Sequence, residues 1–148
     1  MFLWKSLAAR AKAGRPVRVG LVGAGKFGAM FLAQVPSTPG LAVSAVADLR
    51  PEAARAAARA VGWSEARVEA LAVTDDAAAL AARDDVDVVV EATGDARAGL
   101  RHARAAIAAG KHVVMVNVEA DVLGGAAVAA EARAAGVVYS MAYGDQPA

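Results

Sequence analysis

Three glycines between two predicted elements carry the clearest chemical signal in the chain. Gly23, Gly25 and Gly28 have the spacing G-x-G-x-x-G, directly after the apolar run of residues 17–22 and before a helix-favouring segment. In this arrangement the first glycine permits a tight turn, the second lets a pyrophosphate approach the backbone, and the third lets helix and strand pack closely. The free N–H groups and the helix dipole would favour the phosphate by up to about 2 kcal/mol. The hexad therefore predicts a phosphate-binding loop.

An acidic residue stands at the distance where a dinucleotide site needs one. Asp48 ends a second apolar run, residues 41–47, and follows Gly28 by twenty residues. A carboxylate there accepts hydrogen bonds from the adenosine ribose hydroxyls, which favours NAD. Arg50 could instead bind a 2′-phosphate, which favours NADP, or be an exposed arginine at a helix start. The sequence thus predicts NAD or NADP as cofactor and leaves the choice between them open.

A third apolar run should face the same ligand. Residues 87–94 predict a buried parallel strand, and open α/β sheets bind ligands outside the carboxyl ends of their strands. Ala92, Thr93 and Gly94 close this run, so we expect the nicotinamide half of the cofactor to lie beside them. The cofactor-binding residues predicted from these segments are Gly23, Ala24, Gly25, Lys26, Phe27, Gly28, Asp48, Arg50, Ala92, Thr93 and Gly94.

Other titratable residues have weaker claims to a role in the site. Glu91 could be an acid near the cofactor or a polar group turned to neighbouring backbone, and the second interpretation is favoured. We expect His102 at the surface or boundary of a helix, and His112 at the strand end away from the ligand. Four aspartates resemble carboxylate pairs but fit turns and helix caps better than a metal site: Asp75, Asp76, Asp84 and Asp85. No metal is therefore expected.

The elements that must hold these residues alternate between strand and helix. Besides the three runs above, strands are predicted at 71–74, 110–117 and 136–140, and the last helix at 123–135. A small helix through Arg83 should be capped by Thr74 or Asp75. This alternation predicts an α/β fold: a Rossmann-type doubly wound parallel sheet of about six strands, with an extra N-terminal helix.

The N-terminal segment precedes the nucleotide fold. Residues 2–13 predict an amphipathic helix outside the sheet, with Trp4 as a packing residue or an anchor for a partner domain. We therefore expect residues 1–16 to form a helix and linker, and residues 17–148 to form the dinucleotide-binding domain. The last predicted strand is followed by few residues, so a substrate domain is expected to be absent from the chain.

Composition narrows the class of protein. The 148 residues suit one domain, and the net charge of +1 leaves no electrostatic surface for nucleic acid. The absence of cysteine excludes disulfides and thiolate chemistry. Neither a signal peptide nor an apolar run of about 20 residues occurs, so we expect a cytoplasmic protein without a membrane partner. The bias to alanine, arginine and valine is typical of GC-rich bacterial genomes.

Five blocks of sequence carry a family resemblance: VGLVGAGKFG (19–28), VADL (46–49), VVVEATGD (88–95), GKHVVMVNVEAD (110–121) and VVYSMAYGDQP (137–147). In them the chain resembles the nucleotide-binding domain of homoserine-dehydrogenase-like oxidoreductases. The most similar branch carries a C-terminal SAF domain and is related to 1-deoxyxylulose-5-phosphate reductoisomerase-like enzymes. The resemblance implies an NAD(P)-dependent oxidoreductase, with Asn117 as a nicotinamide-side contact and Glu119 as a candidate catalytic residue.

One position departs from the related enzymes. Homoserine dehydrogenases carry Asn-Lys where this chain has Asn117-Val118, and the Glu-Lys-Pro of sugar and inositol dehydrogenases is also absent. A lysine there would donate a proton to the reacting carbonyl or alkoxide, which valine cannot do. Homoserine is therefore not the expected substrate, and the reductoisomerase-like branch implies a sugar phosphate.

Two functions fit these observations. The leading hypothesis is the cofactor domain of an oxidoreductase that transfers hydride to or from a small carbonyl or hydroxyl substrate. This chain would then be inactive alone, would meet its substrate through a further C-terminal domain, and is expected to form a homo-oligomer. The alternative is a stand-alone dinucleotide-sensing regulatory module without catalysis.

Overall fold

The computed structural model describes residues 3–142, and six parallel strands form one sheet within that range. The spatial order is β3-β2-β1-β4-β5-β6, the doubly wound topology of dinucleotide-binding folds. The predicted fold class is confirmed. The strands are β1 (Val17–Val22), β2 (Leu41–Ala47), β3 (Ala72–Thr74), β4 (Val88–Glu91), β5 (His112–Met115) and β6 (Tyr139–Met141).

Helices connect the strands and cover both faces of the sheet. Helices α2 to α4 lie on one face and α5 to α7 on the other. The described range contains α1 (Leu3–Lys12), α2 (Lys26–Gln34), α3 (Pro51–Ala60), α4 (Glu65–Ala70), α5 (Ala77–Ala81), α6 (Ala96–Ala108) and α7 (Val118–Ala134). None of them is long and apolar enough to cross a membrane.

Alternate residues of each strand pack into two hydrophobic cores, one on each face of the sheet. Leu21 packs with the α2–α4 layer and Val22 with the α5–α7 layer, and Val90 and Val89 divide in the same way. Successive side chains of a strand point to opposite faces, so a sheet covered on both sides needs apolar residues at every position. This requirement explains the continuous apolar runs of the sequence.

The start of α7 differs from the prediction. The helix begins at Val118, five residues before the predicted start at residue 123. Asn117 caps it, because its Oδ1 accepts a hydrogen bond from the amide of Ala120 at 3.0 Å. Glu119 consequently lies in the first helical turn, where an acid is favoured by the helix dipole, and not in an open loop.

The cap of α5 also differs from the prediction. Asp76, and neither Thr74 nor Asp75, caps this helix, since Asp76 Oδ1 accepts from the amides of Ala78 and Ala79 at 2.8 and 3.0 Å. The hydroxyl oxygen of Thr74 accepts from the Asp76 amide at 3.1 Å and so shapes the turn before the cap. The helix ends at Ala81, before the predicted end at Arg83.

The N-terminal helix is confirmed, but its predicted packing residue is not. No residue of α1 is buried, and Trp4 is 65% exposed, so the interpretation of Trp4 as a packing residue is wrong. The helix touches the turn before β2, where a Cβ at Gly40 would overlap the carbonyl of Leu7. The anchor role of Trp4 stays a prediction. Residues 1–2 and 143–148 lie outside the described residues. They belong to the predicted N-terminal segment, to the predicted dinucleotide-binding domain and to the last sequence block.

Candidate cofactor site

A cleft of about 320 Å³ opens at the carboxyl ends of the central strands. This is the edge at which open α/β sheets bind ligands. Seven residues predicted from the sequence line it: Gly23, Gly25, Asp48, Arg50, Ala92, Thr93 and Gly94.

Two glycines of the hexad are required by the packing of the protein itself. Gly23 has φ of +96°, and a Cβ there would lie 2.8 Å from the carbonyl oxygen of Ala92. A Cβ at Gly28 would overlap the carbonyl oxygen of Gly23. Glycine at position 23 therefore lets the loop pass close to the end of β4, and glycine at position 28 lets α2 pack against the loop. The predicted roles of a tight turn and close packing are confirmed.

Gly25 is different, because no protein atom lies within 4 Å of the place its Cβ would take. It precedes α2, has φ of −67°, and no side chain caps this helix start. The helices α5, α6 and α7 are instead capped by Asp76, Asp95 and Asn117. The first N–H groups of a helix lack intrahelical partners. At α2 they remain available to an anion in the cleft.

Asp48 joins the loop to the end of β2. Its Oδ2 accepts from the amide of Ala24 and its Oδ1 from the amide of Arg50, each at 2.9 Å. The two oxygens of a carboxylate offer about four acceptor sites, so both retain capacity for ribose hydroxyls. The Ala24 amide is engaged by this carboxylate, which sequence spacing could not reveal. Arg50 lies exposed at the rim and directly precedes α3.

The last three residues of the hexad, 26–28, do not line the cleft. Lys26 is exposed at the first position of α2 but does not line the cleft. The side chain of Phe27 lies on the other side of the loop, where it borders an apolar groove with Val90 and Val114. Gly28 is buried.

Asn117 lies behind the cleft lining rather than in it. Its side chain is buried, and its Nδ2 donates to the carbonyl of Asp95 at 3.0 Å and to Thr93 Oγ1 at 3.4 Å. With Oδ1 on Ala120, the whole amide holds the start of α7 against the end of β4. Glu119 is exposed two residues further along the chain.

A buried carboxylate–imidazole pair lies beside the cleft and was missed by the sequence analysis. Glu91, at the end of β4, is fully buried, and its Oε1 lies 3.0 Å from His102 Nδ1. The same oxygen accepts from the hydroxyl of Thr93 at 2.5 Å and, weakly, from its amide at 3.4 Å. The expectation that Glu91 turns mainly to backbone is wrong, because its short contacts are to side chains. His102 is a boundary residue as predicted, with 23% of its side chain exposed, but it also lines the cleft.

His112 takes the position that the sequence predicted. It begins β5, at the end of the sheet opposite the cleft, and its Nδ1 accepts from the amide of Val138 at 3.0 Å. Among residues 3–142 there is no group of three or more histidine, aspartate or glutamate side chains arranged to hold a metal ion.

Known proteins of similar sequence and structure are oxidoreductases for the most part. Over 80 residues, 52% of the chain, it is 42% identical to a glycosyl hydrolase family 109 protein of Saccharopolyspora erythraea, of which it covers 17%. A homoserine dehydrogenase from Thiobacillus denitrificans matches 86% of the chain with a TM-score of 0.73 and 26% identity. GenD2 of gentamicin A biosynthesis, solved in complex with NAD, matches 85% with a TM-score of 0.66 and 25% identity. The chain spans 29% and 34% of those two structures, about a third of their length or less.

The match to a family model covers the whole sheet. Residues 17–143 match the model described as an oxidoreductase family with an NAD-binding Rossmann fold. The glycine loop, the strand-end acid and the cleft described above are the parts of such a fold that hold the dinucleotide, so the predicted cofactor, NAD or NADP, is confirmed. The chain belongs to the GFO/IDH/MocA family of oxidoreductases.

Proposed function

We propose that this chain is the cofactor-binding domain of an oxidoreductase that transfers hydride between NAD(P) and a small carbonyl or hydroxyl compound. The observation that carries this proposal is the uncapped start of α2 at Gly25, which opens into the same cleft as the carboxylate of Asp48. An open helix start attracts a pyrophosphate, and a strand-end acid on the next strand attracts a ribose. The two together match the pyrophosphate and the ribose of an adenosine diphosphate.

The cofactor would lie across the strand ends in a defined direction. Gly25 and the N–H groups of α2 would hold the pyrophosphate, and Asp48 the adenosine ribose. Thr93 and Gly94, on the other side of β1, would then border the nicotinamide half. Asn117 would act indirectly in this arrangement, because its amide positions Thr93 and the start of α7.

The substrate would be bound mainly by polypeptide outside this chain. Residues 1–16 would form a helix and linker and residues 17–148 the dinucleotide domain of a longer or oligomeric enzyme. Val118 cannot donate a proton, and Glu119 is exposed and does not line the cleft. We infer from the sequence blocks that the enzyme is homoserine-dehydrogenase-like, in the SAF-related branch, with a sugar phosphate as substrate. A bacterial cytoplasm is the proposed location on compositional grounds.

The second candidate function is a dinucleotide sensor without catalysis. The position of Val118 favours it, because the lysine that would protonate the substrate in related dehydrogenases is missing at the nicotinamide end. Both functions require cofactor binding by the isolated chain. An activity assay of a full-length gene product distinguishes the two functions. The product turns over a sugar phosphate with NAD(P) only if the enzyme proposal is correct.

The cofactor site itself is tested by Gly25→Val. The protein has free space at this Cβ and a φ that valine tolerates, so the variant should fold, as circular dichroism would show. The added side chain would occupy the place of the pyrophosphate, and calorimetric titration of NAD and NADP should show a loss of affinity of at least about a hundredfold. The control is Ala66→Val, an exposed position on α4, which should bind like the wild type. Unchanged affinity in Gly25→Val would show that the loop does not hold the phosphate.

A further inference from the structure

The pair formed by Glu91 and His102 has no task in the cofactor contacts described above. Glu91 is fully buried, and its Oε2 has no hydrogen-bond partner among the described residues. A carboxylate in this position is costly unless its partners are firmly held, because burial removes the water that would otherwise solvate it. The other oxygen, Oε1, makes two contacts with Thr93 and one with the ring of His102, so it holds the ring in place.

The hydrogen bonds of Glu91 determine which nitrogen of His102 carries the proton. Oε1 accepts from the hydroxyl and the amide of Thr93, so it acts as an acceptor toward the ring as well. The Nδ1 of His102 must then be the donor in the contact of 3.0 Å. In a neutral imidazole this leaves Nε2 as a bare acceptor. Within residues 3–142, Nε2 has no hydrogen-bond partner.

The surroundings of His102 indicate which part of the cofactor reaches it. His102 lines the cleft together with Leu49 and Ala77, and it also borders a shallow groove beside Asp75 and Ala77, between α5 and α6. Asp75 and Ala77 follow Thr74, whose carbonyl accepts from the amide of Asp48 at 3.0 Å, so this groove adjoins the strand end where the adenosine ribose is proposed to bind. Leu49 is 91% exposed there, an apolar side chain that a flat base would cover.

We propose that His102 recognises the adenine base of the dinucleotide, with Glu91 as its positioning residue. The Nε2 acceptor would take a hydrogen bond from the exocyclic amino group of adenine, while Leu49 and Ala77 contact the faces of the base. A base with a carbonyl oxygen in place of the amino group would put one hydrogen-bond acceptor against another, the Nε2 of His102. This inference rests on the proposed cofactor site and adds a determinant of base specificity to it.

The test compares NAD with nicotinamide hypoxanthine dinucleotide, in which the adenine amino group is replaced by a carbonyl oxygen. Both are titrated by calorimetry into the 148-residue protein at about pH 8. The wild type should bind NAD about tenfold more tightly, since the analogue lacks the donor and leaves a polar group unpaired. In His102→Leu the ratio of the two affinities should fall to about one.

Two further variants separate recognition of the base from a general loss of structure. His102→Gln keeps a donor for Glu91 and an acceptor for the base, so it should retain a preference for NAD of at least about threefold. His112→Gln alters the histidine at the opposite end of the sheet and should leave the ratio unchanged. A ratio that stays near tenfold in His102→Leu would overturn the proposal.

The tautomer of His102 tests the positioning role of Glu91, because a purely structural role of Glu91 would not affect which ring nitrogen carries the proton. In ¹⁵N spectra of the two histidines, His102 should carry its proton on Nδ1 and His112 on Nε2, because Val138 donates to His112 Nδ1. Addition of NAD should shift the Nε2 signal of His102 alone. In Glu91→Leu the His102 ring should lose its single tautomer and the preference for NAD should fall. A proton on His102 Nε2 in the wild type would contradict the proposal.

The outcomes distinguish this inference from the function on which it rests. If neither dinucleotide binds the wild type, the cofactor site is wrong and the role of His102 falls with it. If both bind with equal affinity, the cofactor site stands and the role of His102 is refuted.

Discussion

The amide of Ala24 donates to Oδ2 of Asp48 at 2.9 Å, so the glycine loop and the end of β2 are held together across 24 residues of sequence. The acid that would bind the ribose is therefore also part of the structure that shapes the phosphate-binding loop. Substitutions at Asp48 are expected to change two properties together, the preference between cofactors and the geometry of the loop.

Asp48→Ala should raise the affinity for NADP relative to NAD. The carboxylate would repel a 2′-phosphate by roughly 4 kcal/mol for charges about 4 Å apart at an effective dielectric constant of 20. Removing it should shift the affinity ratio toward NADP by at least about tenfold, while the affinity for NAD falls because the loop loses its tether. Calorimetric titration of both cofactors measures the ratio. Asp48→Asn, which removes the charge but keeps an acceptor, should shift the ratio in the same direction with a smaller loss of NAD affinity.

Arg50→Ala should shift the preference in the opposite direction. Its guanidinium lies exposed at the rim of the cleft, two residues after Asp48, where it can reach a 2′-phosphate. The affinity for NADP should fall severalfold in the same titration, with little change for NAD. Arg133→Ala, an exposed arginine at the far end of α7, is the control and should affect neither cofactor. If neither Asp48 nor Arg50 moves the ratio, these side chains do not face the ribose.

Two glycines of the hexad should respond differently to alanine in unfolding experiments. Gly28→Ala places a Cβ against the backbone carbonyl of Gly23, which cannot move aside cheaply, and should lower the free energy of unfolding by about 1–3 kcal/mol. Gly25→Ala meets no protein atom and should change it by less than about 1 kcal/mol. Urea denaturation followed by circular dichroism measures both. Equal destabilisation would mean that the loop and the helix do not pack as described.

The ion pair at the opposite end of the sheet should make stability depend on pH. Arg18 donates to both carboxylate oxygens of Asp87, at 2.6 and 3.1 Å, and lowers the pKa of Asp87 from 3.8 to about 2. A carboxyl group whose pKa is lowered by folding contributes stability above its ordinary pKa and loses it as the pH falls toward the folded value. Because both side chains are partly exposed, water screens the pair and we expect only a small contribution to stability at neutral pH.

Comparison with Asp87→Asn isolates this contribution. The difference in unfolding free energy between wild type and variant should be constant above about pH 5 and shrink between about pH 4 and pH 2. Urea denaturation across this range measures it. A difference that does not change with pH would show that Arg18 and Asp87 are not paired in solution.

The parts of the fold that the sequence predicted are those determined by local patterns. The apolar runs of β1 and β4 and the spacing of Gly23 and Gly28 constrain strand, turn and helix within a few residues, and the structure agrees with them. The acid at Asp48 followed from its distance to the hexad. These features repeat or recur at fixed offsets, which is why a single chain suffices to recognise them.

The parts that the sequence did not predict depend on which side chains the folded elements bring together. The contact of Glu91 with His102 requires α6 to turn the face that carries His102 toward β4. No local pattern specifies that rotation of the helix. The cap of α7 was missed although Asn117 is a favoured capping residue, because residues 117–119 were interpreted as the end of β5 and the helix was predicted to begin only at residue 123. Trp4 has the size and apolarity of a packing residue, but the structure gives it no surface to cover.

The pairing of β1 with β4 also sets the order in which the sheet can be assembled during synthesis. Arg18 and Asp87 are 69 residues apart, so β4 leaves the ribosome about 3–14 s after β1 at a synthesis rate of about 5–20 residues per second. Through that interval β1 can pair with β2 on one side only, and its other edge presents unpaired backbone groups that can recruit another chain. The nascent protein is consequently most prone to aggregation while residues 23–87 are being made, and slower translation of that segment should increase the aggregated fraction.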